Sequence, residues 1–268
     1  MGNRKYSNKG VNSQRNAAPA PKDNSTLYAT AIGVGLVVII IIAIAIAILS
    51  GNGSSGTPSS TTAAATPAVT IDMEEVEATI DSMEAEDFSE TDKESDYVKI
   101  TFRDHGDVII YLDEEVAPIT VENFKSLVAD GFYDGLTMHR IVKGFMIQGG
   151  DPDGNGSGGS SKTIKGEFAI NGYNNPLNHV KGVISMARLG YPYDSATSQF
   201  FITNDTSDNI SASLDGKYAA FGYVVAGLDV VDSVSDVEVT ASSDKPNAEI
   251  SKPVEPVYID KICFVEKN

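Results

Sequence analysis

The C-terminal two thirds of the chain, residues 96–268, is predicted to be a mainly β domain preceded by one transmembrane helix. Many short β-rich runs are separated by Gly, Asn and Asp turn residues, and only two helical patterns interrupt them. This pattern favours an all-β barrel whose ends are closed by helices. A long apolar run near the N-terminus predicts the membrane helix.

The apolar run from Ala31 to Leu49 has nineteen consecutive uncharged residues, and Leu27 extends it toward the N-terminus. A helix of about twenty residues spans the roughly 30 Å hydrocarbon core of a bilayer. A cleavable signal peptide is the alternative, but its apolar region is normally about 7–15 residues long and ends at a small-residue cleavage site. We therefore predict a retained transmembrane helix over residues 27–50. A lipoprotein is excluded, because no cysteine follows the run.

The charges on either side of this run predict its orientation. Residues 1–26 form a short basic tail with five Lys or Arg against one Asp, whereas residues 51–70 carry no charge. By the positive-inside rule the tail is cytoplasmic and the large domain lies outside the cell membrane. Residues 51–70 are mostly Ser, Thr, Gly, Ala and Pro, a composition typical of a flexible tether.

The segment 71–95 is strongly acidic, since twelve Asp or Glu lie between positions 72 and 96 against one lysine. Ile71, Val76, Ile80 and Met83 stand among these carboxylates at roughly helical spacing. The segment could be a short amphipathic helix that docks on the domain or on a partner. A solvated acidic spacer with transient helix is the interpretation that we favour from sequence.

Within the domain, Tyr97–Phe102 and Asp107–Leu112 alternate in polarity and predict a hairpin. A helix is predicted to begin at Pro118 and to reach Asp130, where Gly131 ends it. A second amphipathic helix fits Leu228–Val234. The further predicted β runs are Met138–Gln148, Val183–Ala187, Gln199–Thr203, Ala219–Val225 and Val257–Val265.

The overall charge limits the class of partner. The chain has a net charge of −17, and residues 97–268 alone carry −10, which argues against nucleic acid because phosphate binding requires a basic face. The single cysteine, Cys263, excludes an intrachain disulfide. It lies in an apolar run and is interpreted as a buried structural thiol.

Five motifs follow one another along the domain. They are Thr120-Val121-Glu122-Asn123-Phe124, the segment Met138–Asp151 (MHRIVKGFMIQGGD), Ser185-Met186-Ala187, Ser198-Gln199-Phe200-Phe201-Ile202, and Leu214-Asp215-Gly216-Lys217 followed by Phe221-Gly222. In content, order and spacing they resemble the cyclophilin-type peptidyl-prolyl cis-trans isomerases. The resemblance implies an eight-stranded antiparallel barrel capped by two helices, here in a membrane-anchored, bacterial-like form.

The resemblance also assigns site residues. It places the guanidinium of Arg140 beside the prolyl nitrogen of a substrate, with Gln148 and Gln199 binding the peptide backbone and orienting the arginine. The backbone of Ala187 and Arg188 resembles the segment that pairs with the peptide as an added strand. The remaining residues resemble the lining of the proline pocket: Phe145, Met146, Phe201, Leu214 and Tyr218.

Four positions depart from the family pattern. Arg188 replaces a frequent Asn, Tyr218 replaces a His, and Met138 replaces a Phe. Ser213 stands where the family often has an aromatic residue that contributes to cyclosporin binding, so cyclosporin is expected to bind weakly. None of these changes removes Arg140, and catalysis is still expected.

Two competing signals are weak. Asp151-Pro152-Asp153-Gly154-Asn155-Gly156 imitates the start of a calcium loop, but its twelfth position is Lys162 rather than Glu. The three histidines have no metal-ligand spacing. We expect no metal and no cofactor.

The expected function is peptidyl-prolyl cis-trans isomerisation during the folding of exported proteins, with flexible proline-containing polypeptides as substrates. The alternative is a weakly catalytic chaperone or assembly module that keeps the peptide groove. Arg140, Phe145, Met146, Gln148 and Phe201 together favour catalysis.

Overall fold

The computed structural model describes residues 69–268 except Thr206 and Asp208. The predicted tail (1–26) and transmembrane helix (27–50), and the tether (51–70) up to residue 68, lie outside this range. Among the described residues, no helix is long and apolar enough to cross a membrane. The helices are α1 (Met73–Thr79), α2 (Pro118–Ala129), α3 (Asn209–Leu214) and α4 (Leu228–Ser235). The strands are β1 (Phe88–Glu90), β2 (Tyr97–Phe102), β3 (Gly106–Leu112), β4 (Arg140–Val142), β5 (Met146–Gly149), β6 (Val183–Met186), β7 (Phe200–Thr203), β8 (Ala219–Ala226), β9 (Val239–Ala241), β10 (Ile250–Pro253) and β11 (Ile259–Lys267).

The prediction of a closed eight-stranded barrel with two helices is wrong in detail. The described residues form a nine-stranded antiparallel sheet in the order β1-β11-β2-β3-β8-β6-β7-β5-β4, and β9 pairs with β10 in a separate sheet. The order is open, since no ladder joins β4 to β1 in the described part of the chain. Thr137, just before β4, forms isolated bridges to Asp151 and to Tyr258 but no ladder. The mainly β class and the helices α2 and α4 are confirmed.

The core lies between the curved sheet and helix α2. Phe124 of α2 is fully buried, and its ring centroid lies 5.1 Å from that of Tyr133, 5.6 Å from Phe200 and 5.2 Å from Phe221. Aromatic clusters of this kind bury large apolar areas and favour tilted or edge-on contacts. The cluster ties α2 to strands β7 and β8. Phe201 of β7 and Tyr218, just before β8, are pocket residues.

The N-terminus of α2 is capped by a residue far along the chain. Ala117 stands at the N-cap position and has no side chain that could accept a hydrogen bond. The buried carboxylate of Glu167 accepts instead, from the backbone N–H of Ile119 (3.1 Å) and from the N–H and hydroxyl of Thr120 (both 2.8 Å). An anion here also matches the positive end of the helix dipole.

The acidic segment 71–95 is not the solvated spacer that we favoured from sequence. Helix α1 buries Val76 in the main core, and Ile71, Met73 and Ile80 pack against that core. Strand β1 then pairs with β11, with Phe88 opposite Lys267. The carboxylates face solvent while the apolar residues share one face, so the docking interpretation describes the segment. Both α1 and β1 lie before the predicted domain start at residue 96.

Replacing Val76 with aspartate is expected to lower the free energy of unfolding by about 3 kcal/mol. The change removes a buried apolar side chain and places a charge in the core. Thermal or urea unfolding of the full chain measures the loss, and Glu77→Ala, an exposed position on the same helix, is the matched control. Equal stability of Val76→Asp and Glu77→Ala would contradict the docking of α1.

Candidate active site

The site is built on the β4–β5 hairpin. The sequence predicted one β run over Met138–Gln148, whereas the chain turns back on itself between Val142 and Phe145, with Gly144 at φ 68°. Left-handed backbone of this kind is accessible to glycine at little cost. The turn places Arg140 directly opposite Gln148 on neighbouring strands, so that both side chains project from the same face.

A chain of polar side chains crosses this face. Arg140 Nη1 donates to Gln148 Oε1 (3.1 Å), and Gln148 Nε2 donates to Gln199 Oε1 (3.0 Å). Gln199 Nε2 then donates to the carbonyl of Gly158 (2.7 Å). Each amide is oriented by its neighbour, and the guanidinium is held partly open to solvent, with 26% of the side chain exposed. The three predicted polar residues therefore form one network.

An apolar pocket lies beside this network. Met146, Phe201 and Leu214 are buried in one cluster, against which the partly buried residues Phe145, Ala187 and Tyr218 pack. The rings of Phe201 and Tyr218 meet edge-on at 5.7 Å. All the predicted pocket residues are thus brought together, although their roles toward a peptide stay predictions.

Ile210 of α3 is a pocket residue that the sequence analysis missed. It is buried in the same cluster as Met146 and Phe201. The helix α3 was not predicted either, because six residues rich in Ser and Asn give a weak helical pattern. The i, i+4 spacing of Ile210 and Leu214 was the available signal.

The side chain of Arg188 is held by three aromatic rings, one of which belongs to the pocket residue Tyr218. Its guanidinium lies 4.7 Å from the ring centroid of Phe168, 5.2 Å from Tyr193 and 4.8 Å from Tyr218, and its Nε donates to the carbonyl of Lys217. Three aromatic contacts fix such a side chain firmly. The backbone N–H of Ala187 donates to Gln199, so only the remaining backbone groups of this segment can pair with a peptide.

His179 packs against the pocket residue Phe201. Its ring stacks on Phe201 with centroids 6.1 Å apart. Nδ1 lies 2.8 Å from Asp215 Oδ1, and Nε2 lies 2.9 Å from Ser185 Oγ. The arrangement has the order of a hydrolase triad, but Ser185 and His179 are both fully buried, so no substrate can reach the hydroxyl. The three residues form a structural network.

The stability of the protein is expected to fall as the pH is lowered below about 6.5. Burial lowers the pKa of His179, and Asp215 opposes that shift without reversing it. The unfolded chain then binds more protons than the folded one between the folded pKa of His179 and its unfolded value, so stability rises with pH across that window. Burial lowers the pKa of His139 as well, in the same direction.

Melting temperatures between pH 7.5 and 5 test this dependence. His179→Gln should flatten the curve relative to the wild type. An identical slope in His179→Gln would contradict the assignment.

Comparison with known proteins agrees with this geometry. Residues 97–262 match the family model described as cyclophilin-type peptidyl-prolyl cis-trans isomerase. The chain belongs to the cyclophilin family. Peptidyl-prolyl cis-trans isomerase B of Escherichia coli is 38% identical over 172 residues, which are 62% of this chain and 99% of that protein. The Bacillus subtilis protein of that name is 43% identical over 125 residues, which are 47% of this chain and 80% of that protein.

Solved cyclophilin structures are similar as well. The crystal structure of a Cryptosporidium parvum cyclophilin, in the presence of the dipeptide Ala-Pro, matches with a TM-score of 0.53 and 29% identity, over 64% of this chain and 99% of that chain. These relatives and the family match identify this cyclophilin as a peptidyl-prolyl cis-trans isomerase.

Proposed function

We propose that this cyclophilin accelerates X-Pro isomerisation in exported proteins as they fold just outside the cell membrane. Residues 27–50 of the cyclophilin would anchor it in that membrane. The observation that carries the catalytic part is the Arg140–Gln148–Gln199 network beside the apolar pocket of Met146, Phe201 and Leu214. The nineteen uncharged residues from Ala31 to Leu49 and the basic tail before them support the location.

The chemistry requires no covalent bond to the substrate. Rotation about an X-Pro bond breaks amide resonance and meets a barrier of about 18–20 kcal/mol. In the twisted state the prolyl nitrogen becomes pyramidal and carries a lone pair. A guanidinium N–H of Arg140 can donate to that lone pair, while the pocket holds the proline ring away from water.

Proline-containing, flexible polypeptides are the proposed substrates. The Cryptosporidium cyclophilin, whose structure was determined with an Ala-Pro dipeptide, supports a proline peptide as the ligand of this groove. The partly exposed Phe145 and the Gln199 amide border the pocket, so a bound chain would extend beyond the proline on either side.

The proposed location is tested with the full chain in a bacterial host. A reporter that is active only outside the cytoplasm, fused after Asn268, is expected to give signal in the membrane fraction. Reversing the charges of Arg4, Lys5 and Lys9 should reduce that signal. A mature N-terminus between residues 50 and 60, or a reporter that is active only in the cytoplasm, would overturn the anchored form.

Cyclosporin is expected to inhibit this isomerase weakly, because Ser213 offers no aromatic ring beside Leu214. Isomerase assays with increasing cyclosporin measure the effect. Ser213→Trp should increase inhibition at least tenfold, which corresponds to about 1.4 kcal/mol of binding free energy, while Ala212→Trp, at an exposed residue of the same helix, should not. Strong inhibition of the wild type would contradict this prediction.

A further inference from the structure

Glu249 contacts the central arginine of the site. It precedes β10, and its carboxylate accepts from Arg140 Nε through Oε2 (2.7 Å) and from Nη2 through Oε1 (2.7 Å). This is a bidentate ion pair, the strongest geometry between a guanidinium and a carboxylate. It joins residues 109 positions apart, so the β9–β10 sheet is tied to β4 at the site itself.

The pair leaves the arginine able to act. A guanidinium has five N–H groups. Glu249 takes one on Nε and one on Nη2, and Gln148 takes one on Nη1. Nη1 also lies 3.6 Å from Met146 Sδ, a weak acceptor, so its second N–H faces only a thioether, and one N–H of Nη2 has no acceptor among the described residues. Glu249 on one side and Gln148 on the other hold the plane of the guanidinium, so these two N–H groups have a fixed direction.

The pair also changes the charge that a peptide meets. The carboxylate of Glu249 is 34% exposed, and hydrogen bonding to Arg140 lowers its pKa, so it is ionised at neutral pH. A lone Arg140 would attract acidic residues near the proline. With Glu249 attached, the positive charge is balanced, and the partly exposed carboxylate repels Asp or Glu and attracts Lys or Arg.

We propose that Glu249 is a positioning and specificity-determining residue: it fixes the Arg140 guanidinium and makes the groove favour proline peptides with Lys or Arg, rather than Asp or Glu, beside the proline. This rests on Arg140 acting in the groove as described under the proposed function. The backbone supports the role, because the carbonyl of Glu249 accepts from Ser242 N–H (2.8 Å) and anchors the residue across the β9–β10 hairpin.

The test uses the full chain in an uncharged detergent and three peptides, Ala-Xaa-Pro-Phe with Xaa as Lys, Ala or Glu. Isomerisation rates are measured by exchange NMR. The wild type should have a higher kcat/KM for the Lys peptide than for the Glu peptide, and Glu249→Gln should lower that ratio roughly fivefold. Glu249→Asp keeps the charge and should keep most of the preference. Glu238→Gln, the same change at an exposed residue before β9, should leave the ratio unchanged.

Two readouts separate positioning from a merely structural role. The Arg140 Nε–H resonance should be protected from exchange in the wild type and lose protection in Glu249→Gln. The kcat/KM for the uncharged Ala peptide should fall about threefold, equivalent to a small loss of orientation. An unchanged or higher rate on that peptide would overturn the positioning role, and an unchanged Lys-to-Glu ratio would overturn the specificity role.

Failure of the catalytic assignment is distinguishable from failure of this proposal. If the wild type isomerised none of the three peptides, the proposed function would fail. Dissociation constants from NMR titration of the same peptides would still decide the charge preference. Melting temperatures of the Glu249 and Glu238 variants confirm that each compared protein is folded.

Discussion

Replacing Arg140 with alanine is expected to lower kcat/KM for proline peptides about hundredfold, which is the loss seen when one preorganised donor is removed from an active site. The reason is geometric: Gln148 and Glu249 hold the guanidinium from two sides beside the pocket of Met146 and Phe201. Alanine removes every donor that could engage the twisted prolyl nitrogen. Exchange NMR on an Ala-Pro peptide with the full chain measures the loss.

Two further variants sharpen this test. Arg140→Lys keeps the positive charge but cannot make the bidentate contact with Glu249, so it should lose most of the activity as well. Arg103→Ala removes an arginine that pairs with Asp260 and lies 4.4 Å over the ring of Tyr258, neither of which is a site residue, and should keep full activity. Equal rates for wild type and Arg140→Ala, with both folded, would overturn the role of Arg140.

Local patterns predicted the strands that carry the site. The family resemblance, rather than strand alternation, placed Gln148 beside Arg140, and the structure sets the two residues opposite each other on β4 and β5. The motif supplied the pocket residues, and the structure does bring Phe145, Met146 and Phe201 together. The hairpin turn at Gly144 and the short helix α3 with Ile210 were missing from the sequence interpretation.

Contacts across long stretches of chain could not be predicted in this way. Glu249 and Glu167 are isolated acidic residues, and no local sequence pattern distinguishes them from solvated charges. Their partners, Arg140 and the N-terminus of α2, lie 109 and 47–48 positions away. The sequence interpretation of α1 failed for the same reason. Val76 lies in a helical pattern, but the surface that buries it is formed by other parts of the domain.

The open order of the sheet was also beyond what local sequence patterns could predict. Family resemblance implied a closed eight-stranded barrel, whereas β1, drawn from the acidic segment, adds to β11 at one edge of the sheet. Three residues, Phe88–Glu90, are enough for this pairing, and so short a run has no readable periodicity. The edge strand β1 also carries a charged residue, Glu90, which pairs with Lys261 and Lys99. Hydrogen bonds from these two lysines lower the pKa of the Glu90 carboxyl to about 2.

Replacing Glu167 with alanine is expected to lower the free energy of unfolding by about 3 kcal/mol, the second large effect. The change removes the acceptor of the N–H of Ile119, an exposed residue, and of the N–H and hydroxyl of the fully buried Thr120. An unsatisfied buried polar group costs roughly 1–3 kcal/mol. For a domain of this size the melting temperature should fall by roughly 6–12 °C. Calorimetry or circular dichroism on the full chain measures it.

Two matched variants test whether the loss of stability comes from the missing hydrogen-bond acceptor or from the missing negative charge. Glu167→Gln keeps one carbonyl acceptor and should lose about half as much stability as Glu167→Ala. Glu122→Ala, at an exposed residue of the same helix, should change the melting temperature little. Since Phe124 of α2 packs on Phe200, next to Phe201 of the pocket, a loosened helix N-terminus should also weaken peptide binding near the melting temperature. If Glu167→Ala and Glu122→Ala were equally stable, the long-range cap would contribute nothing, and α2 would be held by its aromatic contacts alone.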